Sequence, residues 1–186
     1  MGSNIKQNFL EMKDLSELMV DLAYSALFLQ DRAVAAQVEE MYGRIKQLED
    51  DTTKLLFRIK ETDERRMLIL ELIDQIKHIS NAAMSIASLV TTKQVPGIIK
   101  EALGQTDERI IVLEVSGKSS LCGKSLATSH VGTRTGALVR AIRRGNRWIF
   151  TVTEDTVIEA KDQLVAIGSE GAEKRLAEWA SGKQDH

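Results

Sequence analysis

The chain has 186 residues, of which 43% are apolar and 28% charged, and a formal net charge of −2. That composition suits one ordinary globular domain or two small ones and excludes a long disordered or collagen-like chain. A single cysteine, Cys122, cannot form an internal disulfide, which points to the reducing cytoplasm. The longest stretch without Asp, Glu, Lys or Arg, His78 to Thr92, is too short and too rich in Ser, Thr and Asn to span a bilayer. Met1 to Glu11 lacks the apolar core of an export signal. No direct membrane insertion is expected.

Apolar residues at Leu15, Leu18, Met19, Leu22, Ala26 and Leu29 follow the three-and-four spacing of a helix running from about Asp14 to Gln30. Asp31 caps a second helix with the seam Val38, Met41, Ile45, Leu48, Thr52, Leu55 and Ile59. After a polar break at Lys60 to Asp63, a third helix carries the seam Ile69, Leu72, Ile76, Ile79, Ala83, Ile86 and Val90. Helices with such seams and a tight link pack as antiparallel neighbours. Val95 to Leu103, with Pro96 in its first turn and Gly104 at its end, is expected to close the bundle.

Beyond Gly104 the pattern changes. Ile110 to Val115 is a β-branched run of strand length, which puts a domain boundary near Gln105. Lys124 to Ser129 makes a short helix. Gly136 to Arg144 and Arg147 to Val152 are strands joined through the hairpin signal Gly145-Asn146. Gln163 to Ile167 is the last strand, and Ala172 to Ala180 a terminal helix. The fold class is therefore α+β, with an antiparallel three-helix bundle over residues 1–105 and a small α/β domain over residues 106–186.

Arg134, Arg140, Arg143, Arg144 and Arg147 are the concentrated charge of the chain. Residues 106–186 nevertheless hold 12 basic and 11 acidic groups, so the domain as a whole does not suit nonspecific nucleic-acid binding. Strict alternation puts Leu138, Arg140, Ile142 and Arg144 on one face of their strand and Ala137, Val139, Ala141 and Arg143 on the other. A guanidinium among apolar neighbours can take a phosphate in bidentate fashion, or it can pair with an acid across an interface. Trp148 and Phe150 can stack on a base or fill a core. Leu121 to Ser125 looks like the end of a phosphate-binding loop, but Lys118 stands where GxxxxGK[ST] requires glycine.

In the helical half, Glu17 and Asp21 stand one helical turn apart, and Glu49 lies on the partner helix. Carboxylates converging from two helices can hold a metal, and the same residues can form a solvated stripe. No nucleophile, base and orienting group fall together, so an enzyme is not expected.

Two stretches carry a family resemblance. Met12-Lys-Asp-Leu-Ser-Glu-Leu-Met-Val-Asp-Leu-Ala-Tyr-Ser-Ala26 resembles the first helix of PhoU-like domains. Ser120 to Leu126, Thr135 to Val139, Ala141 to Gly145, Asp162 to Val165 and Ile167-Gly168 resemble, in that order, the TrkA C-terminal (RCK-C) domain. The resemblance implies a homodimeric cytoplasmic regulator of cation transport, potassium above all, with a membrane channel or transporter as partner. It also implies a small anionic ligand such as a cyclic dinucleotide, for which Arg134, Arg140, Arg143 and Arg144 are the candidate residues. No nucleic-acid partner is expected. Regulation of phosphate uptake through the PhoU-like half is the alternative. That half implies a divalent or iron ion on Glu17, Asp21 and Glu49, although Thr53 replaces the acid expected four residues after Glu49. Lys161 stands where the RCK-C pattern has glycine before Asp162.

Overall fold

The structure is a computed structural model and describes residues 4–92 and 96–182. It divides into two compact units, one running to residue 95 and one beginning at Pro96.

The first unit is three helices, α1 (Ile5–Leu29), α2 (Arg32–Leu56) and α3 (Asp63–Thr92), each packed on the other two. α1 begins nine residues before the expected start. Asn4 caps it by accepting from the Gln7 amide at 2.8 Å, and Ile5, Phe9 and Met12 carry the apolar spacing back to that cap. Gln30 closes α1 in the left-handed region, and Asp31 caps α2 as expected, accepting from the Ala33 and Val34 amides. Ile59 lies outside α2 and is 39% exposed, while Leu56 takes the buried position.

α3 departs more instructively from its expected seam. Its buried line is Ile73, Ile76, Ser80, Ala83, Ala87 and Val90, whereas Leu72 and Ile79 are each 47% exposed. The helix carries two apolar stripes side by side, and strict heptad spacing crosses from one to the other. Only one of them faces α1 and α2.

The second unit opens with α4 (Gly97–Leu103), which buries none of its residues and belongs to this unit rather than to the bundle it was expected to close. Val95, the expected start of that helix, lies outside the described residues. A four-stranded antiparallel sheet follows in the order β1-β4-β2-β3, with β1 at Arg109–Glu114, β2 at Leu138–Arg144, β3 at Arg147–Ile149 and β4 at Gln163–Gly168. Two short helices, α5 (Leu126–Ser129) and α6 (Val131–Thr135), precede β2. The last helix, α7 (Glu170–Ser181), packs Ala172, Leu176 and Ala180 against Ile111, Val139, Ile142, Leu164 and Ala166 of the sheet. Gly168 lets α7 turn back this closely, since a Cβ there would stand 2.9 Å from that of Ala172. Among the described residues, no helix is long and apolar enough to cross a membrane.

Candidate ligand-binding site

The strand that bears the arginines does not alternate as its sequence suggests. Val139 pairs with Ala166 and Ala141 with Val165, so Arg140 is an extra residue in the β2 register, a β-bulge. Beyond it every side chain changes face: Ile142 joins Val139 in the core, and Ala141 turns to the other face with Val165. The expected grouping of Arg140 with Leu138 and Ile142 is therefore replaced.

The bulge also separates the arginines. Arg144 turns to the core face and meets Asp162, which is fully buried, through Nε–Oδ1 and Nη2–Oδ2 bonds of 2.8 Å each. It also donates to the Val157 carbonyl at 2.8 Å and to the Glu159 carboxylate. The hydrogen bond to Asp162 holds the Arg144 guanidinium above its ordinary pKa. Every branch of its fork is engaged inside the domain. Arg143 lies 5.8 Å from the centre of the Trp148 ring, and Trp148 stacks on Phe150 with centroids 5.5 Å apart. Those rings are occupied with each other and with an arginine. Arg134, on α6, sits 5.2 Å from the Trp179 ring of α7. Arg134, Arg143 and Arg144 thus meet three different sets of neighbours.

A concavity of this unit lies elsewhere, in the angle between α5, α6 and the sheet. It is a cleft of about 490 Å³ walled by Leu126, Val131, Ala137, Leu138 and Val139, with His130, Thr133, Thr153 and Glu154 supplying polar groups. Its walls follow from local chemistry. Ser125 and Thr128 cap α5 reciprocally, each side chain bonding the other's backbone amide, so Ser125, at the end of the Leu121–Ser125 stretch, serves as a helix cap. His130 ends α5 at φ +55°, a left-handed conformation that histidine adopts more readily than most residues, and it turns the chain directly into α6. Arg175 of α7 anchors the far end of α6 by donating from Nε and Nη2 to the Thr135 carbonyl at 3.0 and 2.7 Å. Hydropathy gave no sign of these residues, because α6 is five residues long and the cleft borrows from four segments.

In the helical unit the expected metal ligands do not converge. Glu17 pairs with Lys13 at 2.8 Å and Glu49 with Lys77 at 2.8 Å. Among the described residues, no three His, Cys, Asp or Glu side chains form a group able to hold a metal ion. Glu17, Asp21 and Glu49 do not fit the ion that the family resemblance implies.

Residues 9–90 match the PhoU domain family, and residues 110–181 match the TrkA-C domain family. The chain carries a PhoU domain followed by a TrkA-C domain. Both are domains of regulatory proteins, and the cleft belongs to the TrkA-C domain. No curated protein sequence matches the chain. Among solved structures, it is similar to the RCK_C domain dimer of S. agalactiae BusR in complex with c-di-AMP: 26% identity, 42% of this chain, 96% of that one, TM-score 0.39. It is also similar to BusR of the same organism in complex with its busA-promoter DNA: 23% identity, 70% of this chain, 65% of that one, TM-score 0.37. A third structure, BusR with its busAB-promoter DNA, matches at 16% identity over 92% of this chain and 98% of that one, TM-score 0.39. Two of these three were solved with DNA, a class of partner that the charge balance of the TrkA-C half did not suggest here.

Proposed function

We propose that this protein regulates cation transport, potassium in particular, as a homodimer whose paired TrkA-C domains bind a small anionic ligand of the cyclic dinucleotide class. The supporting observation is the cleft between α5, α6 and the sheet. It has the volume of a small-molecule site, apolar walls and a few polar groups. Among the described residues its walls contain no Lys or Arg, and Glu154 adds a carboxylate. A phosphate-bearing ligand therefore draws its cations from beyond the walls, and Arg134, Arg140 and Arg143 of a second copy are the candidates. A ligand shared between two chains favours one arrangement of the pair over another, and that difference is what a membrane channel or transporter would read.

The test is thermal unfolding of the full chain with cyclic di-AMP, ATP or inorganic phosphate. A ligand at 100 times its Kd stabilises by about 2.7 kcal/mol. The shift is expected with the cyclic dinucleotide and lost in Ala127→Trp, which fills the mouth of the cleft from an exposed position. Absence of any shift, or an equal shift in Ala127→Trp, refutes the reading.

A further inference from the structure

The second stripe of α3 is a surface without a partner inside its own unit. Leu68, Leu72, Gln75, Ile79, Ala82, Ile86 and Leu89 follow one another at steps of four and three over three heptads. Leu68 is 64% exposed, Leu72 and Ile79 47% and Leu89 37%. This line runs beside the buried stripe, so α3 is apolar on two adjoining sides. Steps of exactly this alternation keep a seam facing another helix of the same geometry along its whole length.

We infer that this stripe is the contact surface for α3 of a second copy of the chain. Two observations favour a copy over an unrelated partner. The first is charge. From His78 to Thr92 the helix has no Asp, Glu, Lys or Arg, and no seam position from Leu68 to Leu89 is charged. A two-fold contact brings each surface against itself, so any charged seam position near the axis would meet its own like charge; an uncharged seam meets none. A partner of different sequence would instead be selected through complementary charges, which this seam does not offer. The second is area. The exposed parts of the seam side chains come to roughly 500 Å² per chain, at the upper end of what a monomer leaves open. Paired with itself, the seam removes about 1,000 Å² from water, the level at which specific interfaces begin. Ala82 and Ser85 keep the C-terminal half of the helix slim on this side, so two backbones can approach closely.

The seam lies in the PhoU domain, and the inference stands whether or not the TrkA-C cleft binds a ligand. Cysteine crosslinking of the full chain tests it in a Cys122→Ser background. Leu72→Cys, Ile79→Cys and Ile86→Cys are compared with Glu40→Cys, an exposed position on α2. Under mild oxidation at least one seam cysteine is expected to give an interchain disulfide several-fold above the Glu40→Cys level. Crosslinking at Leu72, Ile79 and Ile86 alike indicates parallel helices, and crosslinking confined to one of them indicates antiparallel helices. In a second arm, Ile79→Glu added to a seam cysteine variant is expected to weaken the crosslinked association about 100-fold or more, since it sets two carboxylates together. Circular dichroism confirms that the helices remain. Seam cysteines that crosslink no better than Glu40→Cys overturn the inference. That holds whether the seam is then found protected by the chain's own second unit, held by another protein, or open to water.

Discussion

Arg144 and Asp162 face each other across the end of the sheet in a two-pronged pair, each bond 2.8 Å long. Asp162 is fully buried and accepts a third bond from the Glu159 amide at 2.8 Å. The pair fastens the loop before β4 to the end of β2, which makes Arg144 a structural arginine. Arg144→Ala leaves a buried carboxylate with one hydrogen bond in place of three, and a loss of about 3 kcal/mol is expected. Denaturant titration measures it. Arg144→Lys recovers only part, because a point charge cannot satisfy both oxygens in the plane of the fork.

A second buried polar contact ties α1 to α2. Asn8 Nδ2 donates to Thr52 Oγ1 at 2.9 Å, and Asn8 is 2% and Thr52 0% exposed. Thr52→Val keeps the volume and removes the acceptor, so destabilisation of about 1–2 kcal/mol is expected from the buried amide that loses this bond. Thr52→Ser retains the hydroxyl and is expected to cost less. A smaller loss in Thr52→Val than in Thr52→Ser would mean that the methyl group matters more than the hydrogen bond.

The two-part architecture and ten of the helices and strands could be read from periodicity, because long apolar spacing reports packing in one direction at a time. The same signal failed at α3, where Leu72 and Ile79 belong to one stripe and Ile76 and Ala83 to another. A strict heptad runs through both and cannot say which stripe faces α1 and α2. It failed again at Arg140, since a bulge adds one residue without any mark in the alternation and exchanges the faces of Arg143 and Arg144. The cleft was invisible for a different reason. Its walls come from α5, α6, β2 and the loop after β3, and only the folded chain brings Leu126, Val139 and Thr153 together.

Glu170 opens α7, where Lys174 donates to its carboxylate at 2.8 Å and Arg109 lies at 3.2 Å. The hydrogen bond from Lys174, then the charges of Lys174 and Arg109, hold its pKa below the ordinary 4.5. The unfolded chain therefore takes up this proton at higher pH than the folded one. The associated stability is present above the unfolded pKa and is lost as pH falls through the depressed folded value. Denaturation midpoints measured from neutral pH downward are expected to show Glu170→Gln below the parent at neutral pH and converging with it in acid. Parallel curves would assign the effect of the substitution to something other than this proton.

Lys161 occupies a left-handed conformation, φ +68°, one residue before the buried Asp162. Its amide donates to the Val115 carbonyl at 2.8 Å, so the turn is fixed by the backbone whatever side chain stands there. An L-residue with a Cβ pays about 1–2 kcal/mol for that geometry. Glycine removes the strain, while its freer unfolded chain returns about 0.4–1 kcal/mol of the gain. Lys161→Gly is therefore expected to stabilise the domain by roughly 0.5 kcal/mol and to leave the Arg144–Asp162 pair in place, whereas Lys161→Val, branched at Cβ, is expected to destabilise it. Thermal melts of the two variants beside the parent give the order directly. No stabilisation by glycine would show that the lysine side chain itself holds the turn, and stabilisation by valine would show that the left-handed geometry carries no strain.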